Sequence, residues 1–175
     1  LDMLCLVILI VIQTLAAMKM SVLNKLLEQR AYTDAHTGLP NKDACEVLLN
    51  NKETVAKHTA CIMFDLNNLK IINDTKGHSK GDQLILNFAR LLRNVIPQKD
   101  FVGRYGGDEF MAVIYNTSKT EIEDILKQLS REKDRLNSSG NNMPIDYACG
   151  WAISDADSEC TIQMLLDKAD YYMYE

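Results

Sequence analysis

The seven residues Arg104-Tyr105-Gly106-Gly107-Asp108-Glu109-Phe110 constrain the chain more than any other stretch. A short apolar run, Phe101-Val102-Gly103, precedes them, and a longer one, Phe110 to Tyr115, follows. Two β-prone runs joined by Gly-Gly predict a hairpin, because a tight primed turn takes positive φ at its central positions and glycine adopts this cheaply. Such a turn sets Asp108 and Glu109 at the mouth of the hairpin, beside a backbone with no side chains to block a ligand. Two consecutive carboxylates repel each other unless a cation joins them, and a divalent metal carrying phosphates would do so. A solvated hairpin tip is the plain alternative.

The 175 residues, 47% hydrophobic and 25% charged, suit one globular domain with an appendage. A formal charge of -5 argues against a nucleic-acid polymer as partner, so a phosphate ligand would be held locally by metal, backbone amides or a few cations. Cys5, Cys45, Cys61, Cys149 and Cys160 are odd in number and never spaced Cys-x-x-Cys. Most sit in apolar surroundings and read as small core residues of a reducing compartment, not as a disulfide or zinc framework.

The first residues differ in kind. Met3 to Met18 carries no charge, and Leu4 to Ile12 is almost purely aliphatic. As helix this run rises roughly 24 Å, short of the ~30 Å hydrocarbon core. Because the chain opens with Leu1, residues 1–18 are expected to be the end of a transmembrane helix. A buried helix and a signal peptide are the alternatives. Lys19, Lys25 and Arg30 follow as a cytoplasmic flank would, which implies the inner (cytoplasmic) membrane with the domain facing the cytoplasm. Residues 19–32 continue as an amphipathic linker helix that either pairs with a twin or packs on its own domain.

Downstream, Asp34 to Asn41 is a cluster of breakers, with Asn41 a plausible N-cap for the next helix. Thr59 to Leu66 reads as a buried strand ending in an acid, Asn67 to Lys80 as loop or short helix, and Gly81 to Val95 as a helix. After the hairpin, Ser118-Lys119-Thr120-Glu121 is a capping box. Asn137 to Asn142 reads as a loop, Ile145 to Ile153 as a strand, and the residues around Ile162 to Met173 as a last helix. This order predicts an α+β, ferredoxin-like domain: a mainly antiparallel sheet with flanking helices, mostly on one face.

Taken together, these residues resemble the GGDEF domains, the diguanylate cyclases. Arg104 to Phe110 resembles the signature, and Asp34 to Asn41 resembles the motif D-x-L-T-G-L-x-N, with His36 where leucine is usual. Phe64 to Asp82 resembles the family's nucleotide-binding segment nearly position by position. Cys149 to Ala152 and Ala169 to Tyr174 resemble its later strand and last helix. The similarity runs over residues 33–175.

The resemblance implies a nucleotidyl-cyclase palm that condenses two GTP into cyclic di-GMP at a homodimer interface. It also implies Mg²⁺ (or Mn²⁺) held by Asp65, Asp108 and the Leu66 carbonyl. Asn73 and Asp82 match the guanine-reading pair, and Gly106 and Gly107 admit the triphosphate. Asn68, Lys70 and His78 line the nucleotide segment, and Glu109 supplies charge support or accepts a proton. Asp82 would otherwise only favour its helix N-terminus, Asn73 only form a turn, and His78 only make structural hydrogen bonds.

Three departures qualify the match. The family's second acid, two residues after Asp65, is Asn67. Its product-inhibition motif R-x-x-D aligns on Pro97 to Asp100, and proline supplies no guanidinium, so that site is expected to be absent. The family's phosphate-gripping lysine and arginine fall just beyond the last-helix motif, so the 175 residues by themselves are expected to have weak activity or none. A catalytically inactive module that binds GTP or a protein partner is the alternative.

Overall fold

The computed structural model describes residues 2–139, 143–154 and 159–174. In chain order the elements are α1 (Met3–Tyr32), α2 (Lys42–Leu49), β1 (Ala60–Leu66), α3 (Leu69–Lys76), α4 (His78–Val95), β2 (Phe101–Arg104), β3 (Glu109–Ile114), α5 (Lys119–Ser138), β4 (Tyr147–Ile153) and α6 (Ile162–Met173). The strands lie in the order β2-β3-β1-β4, with every neighbouring pair antiparallel.

The two central strands, β1 and β3, are apolar on both faces, so both faces need cover. On one face Ile62, Phe64 and Phe110 pack on Phe88 of α4 and on Ile122 and Leu129 of α5. On the other, Cys61, Met63 and Met111 pack on Cys45 and Leu49 of α2 and on Leu165, Leu166 and Ala169 of α6. The expectation of helices mostly on one face is thereby corrected. A strand with no polar alternation cannot leave a face to water. Cys45, Cys61 and Cys160 are buried free thiols, as small core residues would be.

α1 runs unbroken through residues 18 and 19, with no buried residue along its length. It is the one helix among the described residues that is long and apolar enough to cross a membrane. It stops where Thr33 bridges Pro40 and the chain turns through Gly38 at φ +68°. Asn41 caps α2 by accepting from Ala44 N at 3.0 Å, and Ser118 and Glu121 form the capping box of α5.

Three local expectations change. The segment after β1 takes the short-helix alternative as α3, but α4 starts at His78 and not near Gly81, because Gly77 (φ +86°) turns the chain between them. α5 extends through Asn137, whose amide side chain clamps both the N–H and the carbonyl of Ile145 at 2.8 Å and delays β4 to Tyr147. The rest of that predicted loop, residues 140–142, lies outside the described residues. The connection from β2 to β3 is also wider than a two-residue turn. Tyr105 N and Gly106 N both donate to the Glu109 carbonyl, at 2.9 and 3.1 Å, and neither Gly106 nor Gly107 has positive φ. Only Gly106 answers to space: a Cβ there would strike the Glu109 carboxylate, whereas one on Gly107 would meet nothing within 4 Å.

Candidate nucleotide site

Alternation along β1 puts Asp65 on the face of Cys61 and Met63, the face covered by α6. Directly across the strand pair stands Glu109, the first residue of β3. Asp108 sits one residue earlier, its carbonyl accepting from Leu66 N at 2.9 Å. These acids crowd one another. Partial burial, then the charges of Asp108 and Asp170, push the Asp65 carboxyl above its usual value. Burial and then Asp108, Asp65 and Asp170 do the same for Glu109, with Lys42 opposing them.

Among the described residues no three His, Cys, Asp or Glu side chains form a complete metal cage. Hard oxygens in this number still fit Mg²⁺, which characteristically takes one or two carboxylates and completes its shell from water and substrate phosphate.

The glycine connection is fastened from below by Arg104. Its Nε donates to the carbonyls of Gly106 (3.2 Å) and Gly107 (3.3 Å), and its Nη2 to that of Gly107 (2.8 Å). Nη1 meets Asp34 Oδ2 at 3.3 Å. Asp34 also accepts from the Thr37 amide (2.7 Å) and hydroxyl (2.6 Å). Partial burial would raise the Asp34 carboxyl, but these hydrogen bonds and the guanidinium outweigh it and hold the group below its usual value. Between the hairpin and α2 lies an open cleft of about 500 Å³, lined by Asn41, Lys42, Arg104, Gly106, Gly107 and Glu109.

The guanine-reading candidates meet where α3 packs on α4. A Cβ on Gly81 would collide with Asn73 Oδ1 and lie 2.9 Å from its Cγ. The bare Gly81 backbone therefore makes room for the Asn73 side chain, beside Asp82. Asn68 turns the chain into α3 at φ +64°, a conformation asparagine tolerates better than most residues. Lys70, His78 and Asp82 are exposed. Asn67 is engaged elsewhere: its side chain donates to Asp146 Oδ2 at 3.0 Å and its amide to the Asp146 carbonyl at 2.9 Å. Asp100 accepts from Tyr115 N at 3.0 Å, and its other oxygen is buried without a partner among the described residues.

Three contributors escaped the sequence reading. Asp170 is an exposed residue of α6 next to buried Ala169, and its charge reaches Asp65 and Glu109 only once α6 is docked on the sheet. The Arg104–Asp34 pair spans 70 residues, and no local pattern announces it. Lys42, beside Glu109, becomes relevant only once α2 is docked.

Among solved structures, the coiled coil and GGDEF domain of DgcB from Caulobacter crescentus, in complex with c-di-GMP, shares the fold with a TM-score of 0.79 at 23% identity, covering 97% of this chain and 92% of that one. The family described as "Diguanylate cyclase, GGDEF domain" matches residues 31–175, and the chain belongs to it. Diguanylate cyclase DgcP of Escherichia coli is 32% identical over 157 residues, 87% of this chain and 46% of that protein. Cyclic di-GMP phosphodiesterase PdeB of Shewanella oneidensis is 34% identical over 146 residues, 82% of this chain and 17% of that protein. The chain thus spans less than half the length of these curated relatives.

Proposed function

We propose that the domain is a diguanylate cyclase that condenses two GTP into cyclic di-GMP and two pyrophosphates, working as a homodimer. The observation that carries this reading is the set of mutually repelling acids, Asp65, Asp108, Glu109 and Asp170, only partly offset by Lys42 and gathered at a glycine connection whose backbone is open to a ligand at Gly107. Asp65, Asp108 and the Leu66 carbonyl would hold Mg²⁺ or Mn²⁺. When bound, the ion neutralises these acids and polarises the phosphates and the attacking 3′-hydroxyl.

The remaining roles belong to side chains and backbone. Asp82 accepts from guanine N1–H and the 2-amino group, and Asn73 completes the edge, a pattern adenine cannot match. Gly106 and Gly107 let the triphosphate approach the main chain, and Lys70 offsets its charge. Asn68 and His78 flank the nucleotide segment at the starts of α3 and α4. Glu109 supports the charge of the site or accepts the 3′-hydroxyl proton. α1 enters the membrane with its apolar first half, and its second half aligns two protomers.

The test is direct. Full-length protein given GTP and Mg²⁺ yields cyclic di-GMP by chromatography, and Asp108→Ala abolishes it. Product from that variant at the parental rate overturns the metal role. A second reading, a binding module without catalysis, draws on Asn67 in place of an acid and on the phosphodiesterase relative. GTP binding by calorimetry with no pyrophosphate released at high protein concentration favours it.

A further inference from the structure

His36 stands where the family pattern has leucine, and its imidazole does what a leucine cannot. Nε2 lies 2.8 Å from the backbone carbonyl of Asp82, 46 residues away. A carbonyl only accepts, so His36 Nε2 carries the proton. In helix the Asp82 carbonyl is directed at the amide four residues on, and its second lone pair remains for the imidazole. The bond therefore adds to the helix without opening it.

The turn that carries His36 is held at several other points. Asp34, two residues earlier, is paired with Arg104 beneath the glycine connection. Arg93, near the far end of α4, donates to the Gly38 carbonyl at 2.7 Å. Within the turn, Asp34 N donates to the Leu39 carbonyl and Gly38 N to the Asp34 carbonyl, each at 2.8 Å. One rigid turn thus grips the phosphate end of the candidate site through Asp34 and the guanine end through His36.

We infer that His36 is a positioning residue for guanine recognition: its hydrogen bond to the Asp82 carbonyl fixes the first turns of α4 relative to the hairpin. The carboxylate of Asp82 then meets the purine edge without first losing orientational freedom. This inference rests on the cyclase reading, in which Asp82 and Asn73 take guanine. Leucine at this position would fill space and leave the start of α4 held by apolar packing, without the directional tie to the turn.

The experiment uses the full-length protein with Mg²⁺ and two probes that lack the attacking hydroxyl, 3′-deoxy-GTP and 3′-deoxy-ITP, titrated by calorimetry. Hypoxanthine keeps N1–H and lacks the 2-amino group, so it reports less of the Asp82 contact. His36→Leu is expected to weaken 3′-deoxy-GTP binding roughly three- to tenfold, the scale of one hydrogen bond's orienting effect, and 3′-deoxy-ITP binding by less than about twofold. His36→Gln, whose amide offers a donor at similar reach, should recover most of the loss. In turnover assays KM for GTP rises and kcat holds. Equal losses for the two nucleotides, or none, with wild-type protein binding normally, overturn the inference alone. Wild-type protein that binds neither probe overturns the cyclase reading, and the inference with it.

Discussion

Asp65 and Glu109 face each other across the antiparallel pair of β1 and β3, on the side of the sheet that α6 covers. Both carboxyls are raised by partial burial and by neighbouring acids. The folded state therefore favours their protonated forms. Their contribution to stability is present below the ordinary carboxylate range and is lost as pH rises through the raised values.

Asp65→Asn should accordingly trade stability against activity. In EDTA at pH 7 the variant is expected to melt higher than the parent, on the order of 1–2 °C once solvent screening is allowed for. The gain should shrink as pH falls through the raised value and vanish below the ordinary value of 3.8, where folded and unfolded chains are both protonated. Cyclic di-GMP synthesis should fall at least 100-fold, because an amide is a poor ligand for a hard cation. Calorimetric scans at both pH values and a product assay check the three statements, and a melting point that drops at pH 7 in EDTA contradicts the repulsion.

Arg104 should resist conservative replacement. Its fork serves two glycine carbonyls and one carboxylate at once, and an ammonium cannot reproduce that geometry. Arg104→Lys is expected to cost about 1–2 kcal/mol in urea unfolding at neutral pH. Asp34, its partner, is held below the ordinary value of 3.8, so the pair's contribution is present above that value and is lost as pH falls through the depressed one. The difference between parent and variant should therefore shrink at pH 3. A difference unchanged from pH 7 to pH 3 would remove Asp34 from the explanation.

How far the chain could be read depends on how local each signal is. The capping box at Ser118 and Glu121, the Asn41 cap and the hairpin strands are written within a few residues, and all appear. The hairpin's glycines were legible as a site and misread as to cause, since neither uses positive φ and only Gly106 needs its missing side chain. The second helical layer was legible in principle from the unbroken apolar run Ala60 to Phe64. Contacts such as His36 to Asp82 and Asn67 to Asp146 depend on which loops the packed sheet brings together. Periodicity carries no trace of them.

Restoring the family's second acid should not by itself raise activity. Asn67 donates to Asp146, so Asn67→Asp replaces a hydrogen bond with two facing carboxylates. The single variant is expected to be less stable by roughly 1 kcal/mol and no faster. Adding Asp146→Asn should return the stability, because the donor and acceptor have only changed sides. A double-mutant cycle in urea measures the coupling, and strictly additive effects would show that the two residues do not interact.

The close approach of α6 to β4 sets a stricter limit. A Cβ at Gly150 would run into the backbone carbonyl of Ala169 and lie 2.5 Å from Met173 N and 2.9 Å from its Cα. Backbone cannot rotate away as a side chain can, so Gly150→Ala must displace the helix. The expected cost is about 1–3 kcal/mol, or roughly 3–10 °C in melting temperature. α6 also carries Asp170, whose charge is felt at Asp65 and Glu109. The same substitution should therefore weaken Mg²⁺-dependent GTP binding in protein that is still folded at 15 °C. Gly107→Ala is the control, since its Cβ would point into open space and should leave the melting temperature within about 1 °C. If Gly150→Ala proved as stable as that control, the helix would have to sit further from the strand than it does here.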